Sequence, residues 1–284
     1  MKTINAMQLK ALIKNMAREK RIPAQFALQT YMMERLLERI SLSRYNGQFI
    51  LKGGFLISAM IGLDMRVTMD MDATLKGLPL TNEMINEIFN EISTIVIDDG
   101  VEFHIKGIED IRKSDDYLGY RVSLEALYPP IATPLRVDIT TGDKITPREV
   151  VYDFSLMFED RTIQMLTYNL ETVLAEKLQT IISRGVLSTR PRDYYDVYML
   201  WQLYNKSIDI STLTKALIAT NEHRNTLDEL HNWQAIVDNI KENDNVKRFW
   251  KEYQRTFTYA KEIEFEETCN VIIFVLSEIF SLQK

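Results

Sequence analysis

The 284-residue chain is 46% apolar and 26% charged, a globular balance that excludes general disorder. Its net charge of −6 gives no global signal for a nucleic-acid partner, and one cysteine, Cys269, excludes an internal disulfide and suits a reducing compartment. No apolar run is long enough to span a bilayer and no signal-peptide core opens the sequence, so a cytoplasmic protein without a membrane partner is expected.

The first 46 residues read as two helices separated at Pro23. Leu9, Leu12, Ile13 and Met16, then Tyr31, Leu36, Leu37 and Ile40, recur at helical spacing. Lys or Arg stands at positions 2, 10, 14, 18, 20, 21, 35, 39 and 44, against Glu19, Glu34 and Glu38. Two readings follow: an arm that touches a polyanion, or a solvated helical face.

Phe49 to Leu75 holds the densest chemistry. Phe49-Ile50-Leu51 is an apolar strand candidate, broken by Lys52-Gly53-Gly54. Phe55 to Ile61 is a short helix candidate, and Val67 to Leu75 a second strand. Residues two apart on a strand share a face, so Asp70 and Asp72 stand side by side with Met69 and Met71 turned away. Adjacent carboxylates repel, and a hard divalent cation relieves that, Mg²⁺ being usual beside nucleotide phosphates. The glycines offer backbone N–H groups at a helix start, where phosphate is welcome.

Thr81 caps a helix running to about Ile97, and Asp98-Asp99-Gly100 reads as a turn. Val101 to Ile108, Arg121 to Leu127 and Leu135 to Thr140 alternate as half-buried strands. The last two read as antiparallel neighbours around Pro129-Pro130. Alternation sets Asp138 opposite Val137 and Ile139, as a third metal-site acid or a plain solvent-side Asp. Arg161 to Leu166 reads as a final strand, and from about Asn169 the pattern is helical to the end. The expected domains are 1–167, helices plus an α/β sheet core, and 168–284, a helical domain.

In the helical part, Lys177 sits inside an apolar stripe, where an ammonium must snorkel out or find an anion such as a triphosphate. Arg184, Arg190 and Arg192 cluster before a helix that opens at Pro191 and carries Asp193 and Asp196 one turn apart. Those acids read either as catalytic, with Asp193 facing the reacting groups and Asp196 supporting it, or as an ion-pair network between helices. Asn225 to Ile240 and Val246 to Ile263 are the clearest later helices. The second interleaves basic and aromatic residues, as a nucleic-acid stacking surface or an amphipathic helix would. His104, His223 and His231 lack metal-ligand spacing.

L-K-G-G-F-x₁₀-R-x-T-x-D-M-D, then R-V-D-I, E-T-V-L-A-E-K-L and R-P-R-D-Y-Y-D-V-Y, together resemble the AbiEii/AbiGii family. These are toxins of abortive-infection, type IV toxin–antitoxin systems, active in phage defence. The resemblance implies a nucleotidyltransferase fold of the DNA polymerase β kind, a mixed sheet with a C-terminal helical domain. It implies a metal, Mg²⁺ or Mn²⁺, held by Asp70 and Asp72, and a nucleoside triphosphate, GTP in the AbiEii type; Asp138, from the layout of the strands, is the candidate for activating the attacking hydroxyl or binding a second metal. On this match Lys177 would contact the triphosphate and Asp193 or Asp196 would complete the site; from their own chemistry, the Lys52-Gly53-Gly54 turn and Arg184, Arg190 and Arg192 are the further candidates to hold phosphate. Relatives in the wider group transfer nucleotides to tRNA ends, so RNA, with tRNA a candidate, is the implied acceptor. A cognate antitoxin encoded nearby is implied, without a stable complex. Many nucleotidyltransferases carry Gly-Ser at the turn; here Phe55 follows Gly54, which leaves phosphate to backbone N–H groups. Two other classes stay open. Asp70-Met71-Asp72-Ala73-Thr74 fits the D-x-D-x-T nucleophile loop of haloacid-dehalogenase phosphatases, and an inactive nucleotide-binding module is the other.

Overall fold

The two N-terminal helices form where the spacing predicts them, as α1 (Ala6–Glu19) and α2 (Ala24–Leu42) in a computed structural model that describes residues 5–111 and 119–281. Asn5 caps α1 by accepting from the Gln8 N–H at 3.0 Å, and Leu9, Ile13 and Ala17 turn inward. α2 is buried along most of its length, and its charges are buried with it. Arg39 donates to both Asp99 oxygens at 2.8 and 2.9 Å and to the Val101 carbonyl at 2.6 Å. Arg35 donates to Glu38 at 2.8 Å, and Glu34 accepts from the Met157 N–H at 2.7 Å. The basic excess is thus divided. Arg35 and Arg39 are internal, Lys20 reaches Asp64 and Arg44 reaches Glu87 and Glu91, while Lys10, Lys14, Arg18 and Arg21 are exposed. Lys2 lies outside the described residues.

The chain continues through β1 (Phe49–Lys52), α3 (Gly53–Ile61), β2 (Asp70–Leu75), α4 (Asn82–Thr94), β3 (Glu102–Ile111), β4 (Gly119–Tyr128), β5 (Ile131–Thr141), β6 (Val150–Ser155) and β7 (Thr162–Thr167). The seven strands form one mixed sheet in the order β3-β4-β5-β2-β1-β7-β6. β1 is buried at every position, as its continuous apolar run requires of a central strand. It runs antiparallel to β2 and parallel to β7, while β2 runs parallel to β5. β4 and β5 are antiparallel neighbours turning at Pro129-Pro130, as expected.

Two strand expectations need correction. The second strand starts at Asp70, not Val67. Ahead of it, the Met69 carbonyl accepts from Gln29 Nε2 at 2.8 Å, and the Arg66 carbonyl from Ser58 Oγ at 2.5 Å. Side chains there replace the ladder. β6 was not expected from the sequence, because Val150 and Val151 are exposed and no alternating pattern marks it. It is an edge strand held by its pairing to β7, by Phe154 stacked on Phe55, and by the Tyr152 hydroxyl donating to the Ala59 carbonyl at 3.0 Å.

The chain divides into two compact units. The first is the chain up to Asp143 with Val150–Thr167; the second is Lys144–Glu149 with the chain from Tyr168. Asn169 shows why the short segment joins the helices: its side chain caps α5 (Leu170–Arg184) and donates to the Thr146 and Arg148 carbonyls at 2.8 and 2.9 Å. The second unit continues with α6 (Pro191–Tyr204), α7 (Ile210–His223), α8 (Leu227–His231), α9 (Trp233–Glu242), α10 (Asp244–Thr256) and α11 (Phe265–Ser281). The helix expected from Asn225 to Ile240 is broken at Asn232. The one expected from Val246 to Ile263 ends at Thr256, because the chain returns onto it. Trp250 Nε1 and Gln254 Nε2 both donate to the Ile263 carbonyl, at 3.1 and 2.8 Å. Trp250 and Tyr253 are buried, so α10 turns aromatic residues inward and leaves Arg248, Lys251 and Arg255 in solvent. Cys269 is buried, and burial pushes its thiol up to about 12. Among the described residues, no helix is long and apolar enough to cross a membrane.

The Arg39–Asp99 fork tests this account of α2. Asp99→Ala leaves a guanidinium that is 2% exposed without its carboxylate, and should cost about 3–5 kcal/mol. Chemical denaturation measures it; a loss under about 1 kcal/mol would show that the fork does not anchor the helix.

Candidate active site

Parallel pairing of β2 with β5 sets Asp72 level with Asp138, and Asp70 level with Arg136. Antiparallel pairing brings Lys52 level with Asp72 on one side and Arg121 level with Asp138 on the other. In-register neighbours share a face. One polar row therefore crosses four strands: Arg121, Asp138, Asp72, Lys52. Asp70 stands one pleat along on the same face, while Met71, Ala73, Val137 and Ile139 fill the buried opposite side.

The members of this row are held differently. Arg121 donates through Nε and Nη2 to the two oxygens of Asp138, at 2.8 and 2.7 Å. That bond, with the nearby charges of Asp138, Asp70 and Asp72, pushes the guanidinium pKa above its ordinary value. Lys52 is buried and donates to Thr140 Oγ1 at 2.6 Å and to Asp143. Burial would raise the Asp143 carboxyl, but Lys52 outweighs it and holds that group below the ordinary range. The ammonium expected at a phosphate thus has internal partners.

The glycine turn serves the acids directly. Gly53 has φ +64°, and a Cβ there would fall 2.2 Å from Asp72 Oδ2. Gly54 donates its N–H to the same oxygen at 3.4 Å. A Cβ on Gly54 would lie 2.9 Å from Thr68 Oγ1. The turn's backbone, free of side chains, is what lets the Asp72 carboxylate lie over the start of α3.

The second unit holds its own cluster. Lys177 Nζ lies 2.7 Å from Asp193 Oδ1 and 2.8 Å from Asp196 Oδ2, and Arg190 Nε donates to Asp193 Oδ2 at 2.7 Å. Asp193 is 1% exposed, Asp196 0% and Lys177 9%. Burial alone would raise the Asp193 carboxyl, yet Lys177 and Arg190 hold it below its ordinary value. Both acids face inward on Lys177, the geometry of an ion-pair network between α5 and α6. Arg184 and Arg192 are exposed.

Residues 35–270 match the family of nucleotidyl transferase AbiEii toxins of type IV toxin–antitoxin systems. The chain belongs to this AbiEii family. Among solved structures, a nucleotidyltransferase described as putative from H. pylori superposes with a TM-score of 0.52 at 14% identity, covering 93% of this chain and 100% of that one. JHP933 from Helicobacter pylori follows with a TM-score of 0.48 at 13% identity, covering 89% and 92%. Among curated proteins none matches this chain. The fold expected from the AbiEii resemblance is thus present, and membership of a toxin–antitoxin family implies a cognate antitoxin.

In this AbiEii chain, Asp70 and Asp72 suit a hard cation: two half-buried carboxylates on one strand face, one seated in a glycine cradle. Among the described residues no group of three or more His, Cys, Asp or Glu side chains is gathered to hold a metal, and both Asp138 oxygens are on Arg121. The phosphatase-like reading of D-x-D-x-T gains no support, since Asp70 opens β2 instead of standing beyond its carboxyl end.

Sequence reasoning missed Arg121 and Asp143. The first was within reach. A hairpin closing Tyr128 on Ile131 advances one residue on each strand per step, which brings Arg121 opposite Asp138. Asp143 meets Lys52 through long-range register, which leaves no local trace.

Two outcomes test these clusters. Gly53→Ala places a Cβ against Asp72 and a non-glycine residue at positive φ, and should lower stability by at least about 1–2 kcal/mol in denaturant titration; a neutral change would remove the cradle. Asp193→Asn should cost about 3–5 kcal/mol at pH 7. A depressed carboxyl contributes stability above its unfolded value, near 3.8, and loses it as pH falls through the folded pKa, so the penalty should shrink in acid. Melting curves across pH check this, and a penalty unchanged in acid contradicts it.

Proposed function

We propose that this AbiEii protein transfers a nucleotide from a nucleoside triphosphate, GTP favoured, to an RNA acceptor, with tRNA the first candidate, and thereby arrests growth during phage infection. The carrying observation is the register that sets Asp138, Asp72 and Lys52 abreast with Asp70 one pleat away. An oxygen of the acceptor hydroxyl forms a bond to the α-phosphorus, the α–β phosphoanhydride bond breaks, and pyrophosphate leaves. Asp70 and Asp72 would hold Mg²⁺ or Mn²⁺, which supplies charge neutralisation at the attacking and leaving oxygens. Asp138, level with Asp72 on the neighbouring strand, would join that cation as a further ligand during transfer and take the hydroxyl proton. Lys52 stays in its pair with Asp143 and fixes the end of β1 against the turn after β5. Within the second unit, Lys177 is the counter-ion of Asp193 and Asp196.

Incubation with each labelled NTP, Mg²⁺ and total RNA tests this. Label in RNA is the expected result, with Asp70→Ala and Asp72→Ala each losing at least about a hundredfold in rate and abolishing toxicity on expression. Phosphate release without labelled RNA, or toxicity undiminished in both variants, overturns the reading.

A further inference from the structure

Arg121 is the one member of the polar row that no expectation included. Its guanidinium forks onto both oxygens of Asp138, and its field reaches Asp70 and Asp72. The pair is only partly shielded, with side chains 35% and 18% exposed. That exposure sets it apart from the internal pairs of this chain. Arg39–Asp99 is at most 6% exposed and Lys177–Asp196 at most 11%, so an incoming ligand has less access to either. The Arg121–Asp138 fork itself is a strong one, but water reaches it, so an incoming anion can compete for the guanidinium without opening the fold. A guanidinium that fits carboxylate in two-point geometry fits phosphate equally.

We propose that Arg121 is a positioning residue that keeps Asp138 off the cation until substrate phosphate takes the guanidinium. The proposal rests on the metal-site reading above. In the resting protein the cation would meet two carboxylates, Asp70 and Asp72. A polyphosphate entering over the sheet competes with Asp138 for the Arg121 fork, and Asp138, level with Asp72 on the next strand, is then released toward the same cation. The third carboxylate is thereby supplied only when phosphate is present. Without phosphate, Arg121 neutralises the charge that three neighbouring acids would otherwise accumulate.

Two binding experiments without turnover test this on the full chain. The first is Mn²⁺ affinity by electron paramagnetic resonance for the parent, Arg121→Gln, Asp138→Asn and the double variant. Freeing Asp138 in Arg121→Gln should tighten Mn²⁺ about tenfold, while Asp138→Asn should stay within about threefold of the parent and the double variant should return to it. The second is inorganic tripolyphosphate binding in EDTA, by calorimetry. Asp138→Asn should bind several-fold tighter than the parent, Arg121→Gln weaker, and the double variant like Arg121→Gln. If Asp138→Asn alone weakens Mn²⁺ tenfold, Asp138 is already a ligand and the proposal fails. It also fails if Asp138→Asn leaves tripolyphosphate affinity unchanged. Should the parent bind no Mn²⁺ that Asp70→Ala or Asp72→Ala removes, the metal reading itself falls, and this proposal with it. Circular dichroism of each variant separates misfolding from these outcomes, and Arg121→Lys, which keeps the charge but lacks the fork, should give partial release of Asp138 if Arg121→Gln does not fold.

Discussion

The chemistry of this protein depends on one pairing, the parallel register of β2 with β5. A parallel pair cannot be closed by a tight turn, so its alignment is imposed by everything threaded between the two strands: α4, the outer strands β3 and β4, and the hairpin at Pro129-Pro130. Apolar alternation fixes the parity, because Met71 and Ala73 must face the same core as Val137 and Ile139. Once parity is set, the acids have no choice of face. Gly53 completes the arrangement from the other side, since its missing side chain is the space that Asp72 occupies.

Around this register the protein places buried charge in two styles. Forked pairs such as Arg39–Asp99 lock a helix to a loop, and the Lys177–Asp193–Asp196 cluster ties α5 to α6. The first is closed to water, and the second is buried but for part of the Lys177 side chain. The pairs on the sheet's polar face are open to different degrees, with Lys52–Asp143 nearly sealed and Arg121–Asp138 partly wet. The same ionic chemistry is thus graded by solvent access, and access separates a structural pair from one that can change partners.

Much of this was legible in the sequence because the signals were local. Helical spacing found α1 and α2, alternation found β3, β4 and β5, and the period-two rule put Asp70 and Asp72 on one face. What escaped was set at a distance. β6 exposes Val150 and Val151, so it carries no pattern of burial. Lys177 was legible as an ammonium in need of an anion, but which anion depended on the relative rotation of α5 and α6. Arg39 read as surface charge, since its acid Asp99 becomes a partner only once α2 is enclosed; Arg35 has Glu38 one turn away, but its burial likewise came only with the tertiary fold.

The six residues of β2 also make the protein easy to disarm. One codon inserted just before Asp70 would shift the strand by one place, turning both aspartates toward the core and Met71 outward, unless the loop from Gly62 absorbed it. Loss of the acids need not involve losing either acid from the gene. In a lineage where the toxin is a burden, small in-frame insertions between α3 and β2 are a short route to a silent allele, and sequences carrying both aspartates out of register with Lys52 would mark where that route was taken.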